Sequence, residues 1–462
     1  MRDSGAATIV SREPAHPDVV LGSVALLDER TIERAVAAAG SSQRAWQADA
    51  GARSDALNAW AAAIEHNRDV LVSLVVREVG KPIAEARGEV DRGIRILRYY
   101  AQAAYDAQGE TYPPTRGERL EVEHRPLGTV LILAPWNFPV AIPLWKIAPA
   151  LAYGNVVFFR PSGAAALTAA RLVDLARPHF PAGVLTFAPS EVSLVQRLLD
   201  DERIAGVSFT GSTAVGRQVV AAVTRRGGSV QAEMGGQNPS IVLEDADLEL
   251  AASTIADAAM GYAGQKCTAT SRVIALREVA EPLLERLTAE LRSLSVGDPQ
   301  DEATRVGPVI TSEARERIGS AVDAATARGA RVLSGASAPE REGWFYEPTL
   351  LAVDDPADPF AQDETFGPAA SFLVANSREE AAKLANATRY GLSAAIFGTD
   401  SAAALAFGRE LDVGLVRVNA STAGVDFYVP FGGNRDSSFG PREQGRAARE
   451  FFTKTRTIFV RS

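Results

Sequence analysis

The sequence predicts an α/β protein: a doubly wound parallel sheet joined to a second α/β domain and a small arm. Three observations predict it. Between Gly128 and Gly236 five β-rich runs, "GTVLILAP", "NVVFFRPS", "GVLTFAPS", "AGVSFTGS" and "VQAEMGG", alternate with helical segments. Strand and helix in strict turn imply βαβ crossovers, which make the strands parallel and cover both faces of the sheet. From "DLELAASTIADAAMGYAG" onward a second set of helical and strand-like segments follows. The chain has 462 residues, 46% of them hydrophobic, which is enough for two or three domains with sizeable cores.

Taken in order, the region from Asp28 to about Ala107 is helical, because "TIERAVAAAGSSQRAWQ", "SDALNAWAAAIEHNRDVLVSLVVREVG" and "IAEARGEVDRGIRILRYYAQAAYDA" place apolar residues at helical spacing. Gly80-Lys81-Pro82 breaks the last two apart. "GETYPPTRGERLEVEHRPLG" then turns to prolines, charges and short alternating stretches, which reads as a hairpin arm or as a solvent-exposed loop. The expected boundaries are 1–107 and 128–235 for the first domain, 236–435 for the second, and 108–127 with 436–462 for the arm. The tail "FFTKTRTIFVRS" ends in a strand-like run, and the lack of repeats or low-complexity linkers implies closely packed domains.

Composition removes several function classes. Lys and Arg number 48 against 57 Asp and Glu, a net charge of -9 with no dense basic block, so nucleic acid and anionic membranes are poor partners. The apolar run "LGTVLILAPWNFPVAIPLW" is interrupted by prolines and Asn137 and does not read as a membrane span. One cysteine cannot form an intrachain disulfide, and "MRDSGAATIV" lacks the basic and apolar regions of a signal peptide, which points to the cytoplasm. His16, His66, His124 and His179 are isolated, so no metal site is expected.

Four stretches carry candidate chemistry. "VSFTGSTAVGRQVV" is a strand, a small-residue turn from Gly211 and Ser212 to Gly216, and a helix, an arrangement that turns backbone N–H groups toward an anion; it lacks the middle glycine of G-x-G-x-x-G. Cys267, the only cysteine, is either a small buried hydrophobe or a nucleophile. Glu233 of "EMGGQNP" is a solvated glutamate before a turn, or a carboxylate acting on the thiol chemistry through water. Asn137 of "APWNFPV" must bond its own turn or serve a ligand, since burying an unpaired amide costs about 1–3 kcal/mol. With the Cys267 backbone N–H, its amide is placed to hold an oxyanion.

"PWNFP", "GNVVFFRPS", "FTGST", "EMGGQNP", "GQKCTA", "ETFGP", "GLSAAIF" and "PFGG" occur in the order and approximate spacing of the aldehyde dehydrogenase superfamily, and the resemblance covers nearly the whole chain. It implies a dinucleotide-binding first domain, a catalytic second domain and an oligomerisation arm serving a homodimer or homotetramer. It implies Cys267 as nucleophile, Asn137 as oxyanion donor and Glu233 as the base that activates the deacylating water. Glu364 and Phe366 correspond to residues that hold the nicotinamide ribose and steady the ring. Ser212 and Gly211 correspond to the pyrophosphate contact, with Phe209 at the end of the preceding strand. Pro135, Trp136 and Gly235 complete the implied cofactor contacts together with Arg160, Ser162 and Gly163.

The departures are informative. The family usually carries "KPSE" where this chain has Arg160-Pro161-Ser162-Gly163. Without the glutamate nothing repels a 2'-phosphate, and the Arg160 fork suits one, so NADP is favoured, with NAD the alternative if Arg160 merely repeats the lysine's hydroxyl contact. Gln237 replaces a usual lysine, and the short N-terminus puts the first twenty or so residues of the usual fold in doubt. The stretch "TAGVDFYVPFGGNRDSSFGPREQG" resembles the 2-oxoglutarate semialdehyde (2,5-dioxopentanoate) dehydrogenase subgroup, which implies a small anionic aldehyde. Succinate semialdehyde is the competing substrate, and a catalytically silent relative is the alternative from another class. Arg272 and Arg442 are available for the distal carboxylate, although a surface or interdomain ion pair is the preferred reading of each.

Overall fold

The computed structural model describes residues 7–114 and 117–461. Residues 1–6, at the head of the expected first domain, and 115–116 and 462, in the expected arm, lie outside the described residues. The chain opens with an antiparallel pair, β1 (Thr8–Arg12) and β2 (Val20–Ala25). Four helices follow: α1 (Glu29–Gln47), α2 (Ala50–His66), α3 (Arg68–Val79) and α4 (Ile83–Ala103). Asp28 and Asp49 start the first two by accepting from Thr31 N and Ala52 N at 2.8 and 3.0 Å. Gly80 ends α3 in the left-handed region at φ 69, where a Cβ would stand 2.7 Å from Pro308 Cγ, and Pro82 precedes α4. β1 is anchored on α3, with Ser11 donating to the buried Glu78 at 2.7 Å.

β3 (Gly109–Tyr112) and β4 (Arg119–Pro126) form a hairpin. Next comes the alternation anticipated above: β5 (Thr129–Ala134), α5 (Ala141–Ala152), β6 (Val156–Pro161), α6 (Ala166–Ala176), β7 (Leu185–Phe187), α7 (Val192–Asp200), β8 (Gly206–Thr210), α8 (Thr213–Arg225) and β9 (Ser229–Glu233). The strands lie side by side as β9-β8-β5-β6-β7, all parallel. Strand order reverses at β5, so a crevice opens between the C-terminal ends of β5 and β8.

The second unit holds β10 (Asn238–Val242), α9 (Leu248–Met260), β11 (Thr270–Leu276), α10 (Arg277–Ser293), α11 (Ser312–Ala327), β12 (Arg331–Ser334), β13 (Thr349–Ala352), α12 (Pro359–Gln362) and β14 (Ala369–Ala375). It continues with α13 (Arg378–Asn386), β15 (Tyr390–Gly391), β16 (Ser393–Phe397), α14 (Ser401–Gly408), β17 (Leu415–Val418) and β18 (Asn434–Arg435). Its seven-stranded sheet runs β12-β13-β14-β11-β10-β16-β17, parallel apart from the edge strand β12. Each sheet has its own apolar core.

β19 (Ser438–Phe439), α15 (Ala448–Phe452) and β20 (Thr453–Val460) close the chain. β20 joins β4 and β3 in a three-stranded antiparallel sheet. Residues 436–452, which the sequence places in the arm, are different: β19 pairs antiparallel with β9 at the edge of the six-stranded sheet, and Phe451 and Phe452 are buried in that unit's core. The apolar "FF" before β20 is what draws this segment inward. Among the described residues no helix is long and apolar enough to cross a membrane.

Candidate active site

The loop carrying Cys267 is built from strained backbone. After α9, Tyr262, Ala263 and Gly264 hold φ of 53, 51 and 66, and two of these three are not glycine. Packing fixes them: Tyr262 is fully buried and donates to Val79 O at 3.2 Å, while Lys81 Nζ lies 4.5 Å from its ring centre and 3.7 Å from that of Phe138. Asn238 Nδ2 donates to Cys267 O and Ala269 O, both at 2.8 Å, and so clamps the peptide on either side of Thr268. The half-buried Cys267 packs against a small apolar cluster of Leu392, Val425 and Phe431.

Asn137 follows β5 and is buried; its Nδ2 donates to Gln265 O at 3.0 Å, which ties it to the loop two residues before Cys267. That bond uses one of two amide hydrogens and leaves the other for a substrate oxygen. A cavity of about 540 Å³ brings Asn137 and Cys267 together with Pro135, Trp136, Gly211, Ser212, Gly235, Glu364 and Phe366. Phe366, at φ 50, meets Trp136 edge to face with ring centres 5.8 Å apart. Ser212 caps α8, accepting from Val215 N at 3.4 Å, so the helix N-terminus opens on the cavity.

Five predicted residues do not line this cavity. Phe209 lies under the turn: a Cβ on Gly211 would stand 2.6 Å from its Cζ, so it supports the glycine turn from below. Arg160, Ser162 and Gly163 cluster at the end of β6. Arg160 Nη2 reaches Ser190 O at 3.4 Å, while its buried Nε, like Ser190 Oγ and Thr210 Oγ1, has no partner among the described residues. Orphaned donors at the ends of β6 and β8, beside a capped helix N-terminus, fit the hydroxyls and phosphates of a dinucleotide. Glu233 is buried with its carboxyl turned toward Ser438, whose Oγ donates at 2.5 Å, and toward Gly432.

Electrostatics set a resting state the sequence does not reveal. Burial pushes the Cys267 thiol up to about 12, and the Glu364 and Glu233 carboxylates push the same way. Burial, then Glu443, raises Glu233 well above the usual carboxylate range. Glu364 is raised by burial to about 7, against the pull of the Gly236 N–H, which donates at 3.0 Å. The thiol is therefore protonated at neutral pH in this state, and it would have to lose that proton to act on a carbonyl.

Sequence reasoning missed the polar group behind Glu233. Lys146, fully buried in the otherwise apolar α5, pairs with the buried Glu443 and donates to Ser208 Oγ at 3.0 Å and Phe209 O at 3.2 Å. Trp145 Nε1 donates to Glu443 Oε2 at 2.7 Å. A lone lysine in "IPLWKIAPALA" was the available signal, since lysine is almost never fully buried unless paired. Arg272 and Arg442 are both committed elsewhere: Arg272 to Gln237 O, Leu384 O and Ala385 O, and Arg442 to Gly433 O and Asn434 Oδ1.

A switch-point crevice that ends at a half-buried thiol and an amide donor suits an oxidoreductase that uses a nicotinamide dinucleotide. The aldehyde dehydrogenase family model matches residues 1–458, and the chain belongs to that family. It is 39% identical over 456 residues to the alpha-ketoglutaric semialdehyde dehydrogenase of Bacillus subtilis, covering 97% of this chain and 93% of that one. It is 32% identical over 453 residues to the 2,5-dioxopentanoate dehydrogenase of Saccharolobus solfataricus, covering 96% and 95%. Its fold superposes on the crystal structure of betaine aldehyde dehydrogenase from Staphylococcus aureus in complex with NAD+ with a TM-score of 0.95 at 29% identity, covering 98% of this chain and 91% of that one.

Proposed function

We propose that this aldehyde dehydrogenase oxidises 2,5-dioxopentanoate to 2-oxoglutarate, with Cys267 as nucleophile, Asn137 as oxyanion donor and Glu233 as the base of the hydrolytic step. The observation that carries the chemistry is the meeting of Cys267, Asn137, Glu364 and the capped N-terminus of α8 in one cavity. Cys267 Sγ, passing its proton to a water as it attacks, bonds the aldehyde carbon. The free Asn137 amide hydrogen and the Cys267 N–H hold the oxygen. A nicotinamide dinucleotide held in this cavity would supply the hydride acceptor. Glu233 takes a proton from the water that splits the remaining thioester, releasing the acid and the thiol. The substrate rests on identity to the two semialdehyde dehydrogenases and on the "TAGVDFYVPFGG" stretch. Initial rates with 2,5-dioxopentanoate, succinate semialdehyde and a neutral aliphatic aldehyde test it: 2,5-dioxopentanoate gives the highest kcat/KM, and a higher value for either competitor removes the assignment.

NADP is the proposed preference over NAD, supported by the unpartnered Arg160 Nε and by Gly163 in place of a carboxylate. A Cβ at Gly163 would meet nothing closer than Ile9 at 3.8 Å, so a side chain fits there. Gly163→Glu is expected to shift the NADP-to-NAD ratio of kcat/KM toward NAD by about 10-fold, the equivalent of about 1.4 kcal/mol of like-charge repulsion. An unchanged ratio would mean that position 163 does not face the 2'-position. The arm is proposed to build a homodimer or homotetramer. Its sheet leaves β3 and β20 as unpaired edges with Phe459 66% exposed, a surface that a second copy would cover.

A further inference from the structure

The cofactor cavity reaches Cys267 from one side, so an aldehyde must come from another. There the thiol packs on Val425 and Phe431, and Phe431 meets Trp145 of α5 with ring centres 5.6 Å apart. Phe427, two residues beyond Val425, touches Tyr99 of α4 edge to face at 5.8 Å. α4 and α5 are locked together on the same side. Glu89 accepts from Val140 N at 2.8 Å and Ala141 N at 3.0 Å, and Gly93 is so close to Val140 and Leu144 that a Cβ would stand 2.8 and 2.9 Å from them. The face of α4 running Glu89, Arg92, Gly93, Ile96 and Tyr99 therefore lies against α5 and the 425–428 segment.

From this placement we infer that Arg92 receives the distal carboxylate of the substrate, which makes it the residue that selects anionic aldehydes. The inference rests on the proposed semialdehyde reaction. Arg92 is partly buried, yet it makes no hydrogen bond or ion pair among the described residues. Four other buried or half-buried cations of this region are engaged: Lys81 with Glu89, Lys146 with Glu443, Lys266 with Glu85 at 2.8 Å, and Arg442 with Gly433 O and Asn434 Oδ1. The charged groups facing Arg92 are Asp426 and Glu89, and neither closes an ion pair with it; Glu89 spends its carboxylate on Lys81 and on the two N–H groups of α5. Burial lowers the guanidinium's pKa, with Asp426 and Glu89 opposing, but a guanidinium stays charged in protein. A planar fork kept charged and unpaired is suited to take a carboxylate through two parallel N–H bonds.

The test compares kcat/KM for 2,5-dioxopentanoate and for pentanal, a neutral aldehyde with the same number of carbons, in the wild type, Arg92→Met and Arg92→Lys. Methionine keeps the length and loses the charge. The expected result is a wild type that prefers 2,5-dioxopentanoate, a roughly 10- to 100-fold loss on that substrate in Arg92→Met carried mainly by KM, little change with pentanal, and partial recovery in Arg92→Lys. Equal losses on both substrates would make Arg92 a packing residue and overturn the inference. Retained preference in Arg92→Met, with the wild type still favouring the semialdehyde, overturns Arg92 alone and leaves the reaction standing. A wild type that prefers pentanal overturns both.

Discussion

Cys267→Ala is expected to lower kcat/KM on every aldehyde by at least ~10⁴-fold while the protein stays folded and binds dinucleotide. No other thiol exists in the chain, and the peptide that presents this one is held by Asn238, Tyr262 and Gln265, none of which the substitution touches. Only the sulfur's packing on Leu392, Val425 and Phe431 is lost, on the order of 1 kcal/mol for so small a truncation. The thiol's raised pKa gives the wild-type control its own signature. With the group pushed up to about 12, its thiolate fraction grows about tenfold per pH unit through the neutral and mildly alkaline range, so alkylation of the cofactor-free enzyme should accelerate at about that slope. Residual activity of Cys267→Ala above a few per cent, or an alkylation rate that is flat with pH, would contradict this reading of the site.

What the sequence disclosed and what it withheld divide along the range of the interactions. The parallel sheet was legible because each βα unit writes its alternation within about 30 residues, and α1 to α4 because helical spacing is local. The stretches carrying Cys267, Glu233, Asn137 and Glu364 stood out by their fixed order, and one cavity brings Cys267, Asn137 and Glu364 together. The Lys146–Glu443 pair was not, since its partners are 297 residues apart and neither segment carries a pattern that names the other. The same holds for β19: "SSFG" has no strand signature of its own and becomes a strand because β9 offers it an open edge. Phe209 shows the limit of assigning roles by position. Its ring is part of the turn's support, so the turn matches the expectation although that side chain does not face the cavity. The thiol's protonation state is further out of reach, because it depends first on the burial of Cys267 and then on the charges of Glu364, Glu233 and Glu443, drawn from distant parts of the chain.

Glu233→Gln should separate the two halves of the reaction. In the proposed scheme the Cys267 proton leaves to water during attack and Glu233 is needed only to activate the hydrolytic water, so the variant is expected to release one equivalent of reduced cofactor per site in the first turnover. It should then stall, with steady-state kcat down roughly 10²- to 10⁴-fold for want of a base. The wild type supplies the accompanying pH test. Burial and Glu443 raise the Glu233 carboxyl above the usual carboxylate range, so at low pH it is the neutral acid and cannot accept a proton. Deacylation-limited kcat must then rise with pH through that raised pKa and level off above it, and the rise must vanish in Glu233→Gln. Ser438 donates to Glu233 Oε2 and pulls in the opposite direction, stabilising the carboxylate, so Ser438→Ala should move the same limb to higher pH without removing it. Stopped-flow absorbance of the reduced nicotinamide across a pH series reads all three results. A variant that turns over steadily with no burst, or a limb that survives the loss of the carboxyl, would assign the base to another group. The buried pair behind Glu233, Lys146 with Glu443, would be the first place to look, because both groups act on Glu233 and both are buried.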